Sequence, residues 1–171
     1  MTMARGRIRE KDLGWNRVKR AIREADGAGV KVGVLSAAGD HDSASPGSRA
    51  TVAEVAAANE FGYGVPERPA FRQAIDGNTD RLRQSILRAS AEVLLGTDVR
   101  RALNPVGLLA QTVTRQQITD LRDPPNSERT IQRKGSSNPL IDTGQLRQSV
   151  TWEVVTGSDA KRARRGSQGG A

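Results

Sequence analysis

The sequence predicts an α+β fold: a small β-sheet with packed helices, long polar loops and basic flexible ends. Residues 30–35 and 150–155 each alternate β-branched with other side chains, which is the pattern of a β-strand. Between these segments, apolar residues recur at helical spacing in several stretches bounded by Gly, Pro or Asn. Because an isolated pair of strands is marginally stable, we expect further short strands in the polar loops at residues 37–50 and 126–139.

The chain is expected to hold one folded domain between two charged ends. The two predicted strands have to meet, so residues 11–156 are predicted to form a single α+β domain. Residues 1–10 are predicted to be a flexible basic arm and residues 157–171 a flexible basic tail. The net charge of +8 supports this division, because residues 1–25 carry +5, residues 156–171 carry +3, and the rest is neutral.

Composition excludes several classes of function. The chain has no cysteine, so we expect neither disulfides nor a thiolate metal site. No apolar run approaches the roughly 18 residues of a membrane span, and the N-terminus lacks the apolar segment of a secretory signal. The only histidine, His41, lies between Asp40 and Asp42 in a polar loop with nothing to hold metal ligands rigid. Without a catalytic Cys or a second His, the sequence predicts no enzyme, no metal and no cofactor.

The stretch at residues 51–71 predicts a helix, a turn and a second helix. Thr51 and Glu54 have the spacing of a capping box, in which each side chain bonds the backbone amide of the other. Small apolar residues follow, and Gly62 is expected to end this helix because glycine accepts the left-handed conformation. Pro69 suits the first turn of the next, short helix.

Apolar periodicity predicts two further helices with defined core stripes. The first is expected to be capped by Asp12 and to run to about residue 25, and its expected stripe is Trp15, Val18, Ile22 and Ala25. The second covers residues 79–95 and stops at Gly96, and its expected stripe is Leu82, Ile86, Ala89 and Val93.

Two more helices are predicted from their capping residues. One is expected to begin at Asn104-Pro105, since Asn is a good cap and Pro suits the first helical position, and to end near residue 121. The other is a brief helix through residue 147, which is expected to open at a capping box formed by Asp142 and Gln145.

Two blocks of the sequence resemble a known family. The segment NEFGYG at residues 59–64, followed by PERPAFRQAID at residues 66–76, is similar to the "EFG…P.RPF.R.A.D" segment of tailed-phage tail-completion proteins. The block RKGSSNPLIDTGQLRQSVTWEVV at residues 133–155 resembles the "KG…PL.DTG.LR.S" signature of the same family. Both blocks occur in the family's order and separation. The chain departs in having Ala70 where a bulky aromatic often follows the Arg-Pro pair.

The resemblance implies a structural virion protein that completes the tail or joins it to the head, and it implies no catalytic residues. The expected assembly is a closed ring of about six copies in the neck or tail top. Its expected partners are head-completion, tail-terminator or tail-tube proteins. The expected location is the head–tail junction of a virion assembled in the host cytoplasm.

The two blocks are expected to form structural corners, with their apolar members packed and Asp142 capping a helix. Part of this surface either meets a neighbouring subunit or only holds the fold, and the sequence leaves both readings open. The expected corner residues are Phe61, Tyr63, Pro66, Arg68, Pro69, Phe71, Leu140, Asp142, Thr143, Gly144, Leu146 and Arg147.

The basic ends support an alternative function, a nucleic-acid-binding module that contacts phosphates without reading sequence. The arm is expected to dock on an acidic protein surface, with Ile8 and Trp15 as apolar anchors. The tail is expected to be disordered, and weak contact with DNA phosphates in a channel is its alternative. The basic residues concerned are Arg5, Arg7, Arg9, Lys11, Lys161, Arg162, Arg164 and Arg165.

Overall fold

The structure is a computed structural model that describes residues 12–34, 50–141, 143–157 and 159. In this part of the chain, helices predominate and two strands form one antiparallel sheet, which confirms the predicted α+β class. In chain order the elements are α1 (Trp15–Ala25), β1 (Gly29–Val34), α2 (Val52–Phe61), α3 (Ala70–Asp76), α4 (Thr79–Leu95), α5 (Val99–Asp120), α6 (Glu128–Lys134), α7 (Gln145–Ser149) and β2 (Val150–Val155).

Strands β1 and β2 pair along their full length, although they lie near opposite ends of the chain. Helix α5 covers the sheet, and its side chains bond backbone carbonyls of β2. Gln111 Nε2 donates to the Val150 carbonyl at 2.9 Å, and Arg100 Nη1 donates to the Val154 carbonyl at 2.9 Å. Of the two loops expected to supply further strands, residues 126–139 form none, and residues 37–49 lie outside the described residues. The contacts from α5 support the two-stranded sheet.

Trp152 of β2 packs directly on Gly107 of α5. A Cβ atom at residue 107 would overlap the indole ring, so only glycine leaves room for the tryptophan here. Gly107 is buried and Trp152 is half-buried. This contact fixes the sheet on the middle of α5, and nothing in the local sequence around Gly107 predicts it.

Two apolar clusters lie toward opposite ends of α5. The C-terminal cluster consists of Val52, Ala56, Ala70, Ile118, Leu121, Leu140, Leu146 and Val150. The N-terminal cluster consists of Ala21, Ala89, Val93, Val99, Ala102 and Val106. Because α5 has 22 residues, it is about 33 Å long, and the two clusters are well separated along it.

Helix α5 begins at Val99, so the predicted start at Asn104-Pro105 is wrong. Asp98 caps the helix, and its carboxylate accepts a hydrogen bond from the Arg101 amide at 3.0 Å. Pro105 lies inside the helix, where its missing N–H removes one backbone hydrogen bond. Buried apolar residues before and after the proline offset this cost, so tertiary packing overrides the local signal.

The core stripes predicted for α1 and α4 are only partly correct. In α1, Ala21 is the buried residue, whereas Trp15 and Ile22 are exposed. In α4, three of the four predicted residues are buried, but Ile86 is exposed. The two helices pack through small side chains, which leaves the larger apolar residues at the border of the contact.

Helices α2 and α3 follow the prediction closely. The Thr51 hydroxyl accepts from the Glu54 amide at 3.2 Å, and the Glu54 carboxylate accepts from the Thr51 amide at 2.7 Å. Gly62 ends α2 in the left-handed conformation, with φ 73°. Pro69 precedes α3 by one residue, and residues 77–78 separate α3 from α4 as expected.

Loss of the capping box is expected to destabilise the fold measurably. Thr51→Ala should lower the free energy of unfolding by about 1 kcal/mol, measured by urea denaturation, whereas Thr51→Ser should stay near the parent protein. Hydrogen bonds from the Thr51 amide, and then from its hydroxyl, lower the pKa of Glu54. The contribution of Glu54 is therefore present above its unfolded-state pKa and is lost as pH falls through its lower, folded-state pKa. Equal losses in the Ala and Ser variants would contradict this account of the cap.

Helix α7 begins later than the predicted capping box requires. Gln145 is its first residue and Gly144 its cap, so Gln145 does not occupy the third helical position. The Thr143 hydroxyl accepts from the Gln145 amide at 3.3 Å and supports this start. Asp142 itself lies outside the described residues.

Candidate functional site

The side chain of Arg68 is buried at the corner between α2 and α3, and the whole residue is only 6% exposed. Its Nε donates to the Pro124 carbonyl at 3.1 Å, and its Nη2 donates to the Pro125 carbonyl at 3.3 Å and to Asn126 Oδ1 at 3.4 Å. Its Nη1 donates to Asn59 Oδ1 at 3.5 Å. Burial lowers the pKa of Arg68, which still remains protonated because an arginine keeps its charge in proteins. The guanidinium therefore clamps the segment after α5 onto the α2–α3 corner.

Glu60 caps the start of α3 from the preceding helix. Its two carboxylate oxygens accept from the Phe71 amide at 3.0 Å and from the Arg72 amide at 2.9 Å. These amides belong to the first turn of α3, where Pro69 has no side chain that can cap. Ala70, the first residue of α3, is buried in the C-terminal cluster, so a small residue fits this place in the first block.

Asn138 organises the second block in a similar way. Its Nδ2 donates to the Thr119 carbonyl at 2.9 Å, near the end of α5. Its Oδ1 accepts from the Leu140 amide at 3.0 Å and from the Ile141 amide at 3.1 Å. Asn138 thereby turns the chain so that Leu140 enters the C-terminal cluster.

Asn126 joins the two blocks that resemble the tail-completion family. Its Oδ1 accepts from Arg68 of the first block, and its Nδ2 donates to the Asn138 carbonyl of the second at 3.2 Å. We call Asn59, Glu60, Arg68, Asn126 and Asn138 the polar junction. The sequence prediction named only Arg68 from this set, although Asn residues beside proline segments are a general signal for side chains that bond the local backbone.

The turn between α2 and α3 exposes its aromatic side chains. Phe61 is 55% and Tyr63 is 69% exposed, and their ring centroids lie 5.8 Å apart. The prediction that these two residues are packed is therefore wrong, and Pro66 is exposed as well. Helix α2 buries Val52, Ala56 and Glu60, and Phe61 lies about 140° around the helix from the middle of that face. We call residues 61–66 the aromatic turn.

The other predicted corner residues divide between core and surface. Leu140 and Leu146 are buried, and Phe71 is partly buried against the same cluster, as expected. Gly144 has a φ of 82°, which favours glycine. The remaining predicted residues are Pro69, which is half-buried, and Thr143 and Arg147, which are exposed.

An open apolar groove lies between α1, α4 and the first turns of α5, with a volume of about 780 Å³. Small buried residues, Ala21 and Ala89, lie at its base. The exposed side chains of Ile22, Ile86 and Leu94 also line it. Ile22 and Ile86, which the sequence placed in core stripes, thus line a surface groove instead.

The described residues contain no group of three or more His, Cys, Asp or Glu side chains arranged to hold a metal ion. Among them, no helix has the length and apolar character needed to cross a membrane. His41 and all eight basic residues predicted in the arm and the tail lie outside the described part of the chain: Arg5, Arg7, Arg9, Lys11, Lys161, Arg162, Arg164 and Arg165.

Comparison with known protein families, curated proteins and solved structures gives no significant match to this chain.

Proposed function

We propose that this protein is a structural component of a tailed-phage virion, where it completes the tail or joins it to the head. In this proposal it works as a closed ring of about six copies in the neck or tail top. Its neighbours are head-completion, tail-terminator or tail-tube proteins. The two sequence blocks that resemble tail-completion proteins are the first support for this role.

The arrangement of the aromatic turn is the observation that carries the proposal. Arg68 and Glu60 hold the two sides of this turn with partly buried hydrogen bonds, which restrain its backbone. Phe61 and Tyr63 nevertheless project into solvent. Rigid, exposed aromatic side chains are typical anchors of protein–protein contacts, because they bury a large area at a small cost in conformational entropy. A residue set that only held the fold would be expected to bury these rings.

A reconstruction of virions that contain the protein tests this role. We expect density for a closed ring of this chain at the head–tail junction or tail top. Particles made with Tyr63→Ala should show unjoined heads and tails, whereas Arg147→Ala, which changes an exposed residue of the second block, should assemble normally. Isolated single copies in the particle, or normal joining with Tyr63→Ala, would contradict the proposal.

The concentration of charge at the chain ends favours one secondary activity, non-specific contact with DNA phosphates. Duplex binding by the full chain is expected to be weak, and each phosphate contact should steepen its log–log salt dependence by about 0.9. A variant that ends at Thr156 should lose the part of the duplex affinity, and of its salt dependence, that the tail contributes. Tight, salt-insensitive binding by that variant would instead favour a nucleic-acid-binding module.

A further inference from the structure

We infer that the chain continues from β2 into a basic helix, held on α5 through Asp159, and that the outward face of this helix binds the phosphates of duplex DNA. We call residues 157–165 the tail helix. The inference rests on the phosphate contact proposed above and identifies the structure that makes it. Composition alone predicted a disordered tail, whereas the described residues at its start indicate an ordered one.

The start of the tail repeats hydrogen bonds that begin α2. The Thr156 amide and hydroxyl each donate to Asp159 Oδ2 at 2.8 Å. In the capping box of α2, the Thr51 amide and hydroxyl donate in the same way to Glu54 Oε2, at 2.7 Å and 3.0 Å. Gly157 and Asp159 both have helical backbone conformation, as expected for residues that follow a helix cap. Thr156 and Asp159 therefore begin a helix.

Asp159 also fastens this start to the first turn of α5. Arg100 Nη2 donates to Asp159 Oδ2 at 2.6 Å, and its other terminal nitrogen bonds β2. Hydrogen bonds from Thr156, and then the charge of Arg100, lower the pKa of Asp159, so this carboxylate is ionised at neutral pH. A Cβ atom at Gly157 would overlap the Asp26 carbonyl, so glycine lets the chain lie against the α1–β1 turn. The side of the tail that carries Asp159 therefore faces the folded domain.

The basic side chains of the tail fall on the opposite side of the helix. They lie outside the described part of the chain, so their arrangement is inferred from the sequence and from the turn of about 100° per helical residue. Asp159, Ala160 and Ala163 fall within an arc of about 100°. Four cations occupy an arc of about 160° on the other side: Lys161, Arg162, Arg164 and Arg165. Alanine, lysine and arginine favour a helix, and Gly166 is suited to end it.

Phosphates fit this basic face better than a protein surface does. Residues 157–171 contain alanine but no larger apolar residue and no aromatic residue. Protein contacts depend on such residues as anchors, whereas sequence-independent contact with DNA is made by cations. The cleft beside Thr156 is mixed in charge, since it is lined by Arg23, Arg100, Glu24, Asp26 and Asp98. The net attraction to DNA therefore comes from the tail helix.

Asp159→Ala distinguishes this helix from a disordered basic tail, because the two predict opposite effects. The substitution removes a negative charge, so a disordered tail that binds by charge alone should bind DNA more tightly. We expect instead about fivefold weaker binding, because loss of the cap and of the Arg100 contact lowers the population of the helix. The measurement is fluorescence anisotropy of a labelled DNA duplex titrated with the full-length protein.

Glu24→Ala is the matched control for this titration. Glu24 is exposed and lines the cleft beside Thr156, so its replacement makes the same charge change near the same place. This variant should bind the duplex no more weakly than the parent protein. Equal or tighter binding by Asp159→Ala would overturn the tail helix.

An exchange of two neighbouring residues tests the basic face without any change in composition. Ala163→Arg/Arg164→Ala keeps the charge of the tail but moves one cation to the side that faces α5. One phosphate contact is then lost from the tail helix, so the log–log salt dependence should become shallower by about 0.9. A disordered tail would not distinguish the two orders, so an unchanged salt dependence would contradict the inferred face.

Truncation separates failure of the tail helix from failure of the phosphate contact itself. If binding is lost in the variant that ends at Thr156 but is indifferent to Asp159→Ala and to the exchange, the tail helix is wrong and the contact stands. If the truncated variant binds as tightly as the full chain, both are wrong. Backbone chemical shifts of residues 157–165 should be helical in the full-length protein without DNA, and random-coil shifts there would also overturn the tail helix.

Discussion

Gly107→Ala is expected to lower the free energy of unfolding by about 2 kcal/mol, although alanine is the better helix former. In an exposed helix this substitution would gain up to about 1 kcal/mol from propensity. At residue 107, however, the new methyl group would occupy the place of the Trp152 indole. Either the indole leaves its site or β2 moves away from α5, and both changes lose packing.

Urea unfolding of single and double variants checks this result. Trp152→Leu removes the clash at some cost in burial, so Gly107→Ala should be nearly neutral when it is added to that variant. The resulting coupling energy between the two positions isolates their contact from the effect on helix propensity. A single variant Gly107→Ala that is more stable than the parent protein would contradict the described packing.

Arg68→Ala is expected to cost roughly 3 kcal/mol, because the residue is buried and its guanidinium makes four hydrogen bonds. The substitution leaves the partly buried carbonyls of Pro124 and Pro125 without their charged donor. Arg68→Lys should also be strongly destabilising, because a lysine cannot donate to several acceptors in the planar pattern of a guanidinium. Arg72→Ala is the matched control, since Arg72 makes an exposed ion pair with Glu67 and should cost well under 1 kcal/mol.

Melting temperature and particle assembly, measured together, show whether the first block only holds the fold or also contacts a neighbouring subunit. Arg68→Ala should lower the melting temperature strongly, and any assembly defect should follow from that loss. Tyr63→Ala should leave the melting temperature unchanged, since the ring is exposed, and should still block assembly. Normal stability of Arg68→Ala with failed assembly would instead make Arg68 an interface residue.

Local signals predicted the elements whose ends are set by single residues. The Thr51–Glu54 box and Gly62 determine where α2 begins and ends, and Gly96 ends α4. Both strands were predicted nearly to the residue, because β-branched alternation is a local pattern. These features depend on backbone conformation within a few residues, and that conformation can be predicted from the identities of neighbouring residues.

Features that depend on distant packing were not predicted. Pro105 predicts a helix start, because the burial of the preceding turn cannot be seen in the local sequence. Phe61 and Tyr63 were expected in the core because they are apolar, yet the small residues of α2 fill that place. Asn126 and Asn138 form the polar junction only because residues far apart in the chain meet there. Gly107 has a role only because Trp152 returns to it from the last strand.

The pairing of β1 with β2 also determines when this chain can finish folding. Gly29 pairs with Val155, so the first strand waits for almost the whole domain to be synthesised. At about 5–20 residues per second, that wait is on the order of ten seconds. Helices α2 to α5 consist of local contacts and can form during this time, but the sheet has a high contact order and closes last. Chains truncated before residue 150 therefore cannot close the sheet, so synthesis of β2 is the step that allows the native topology to form.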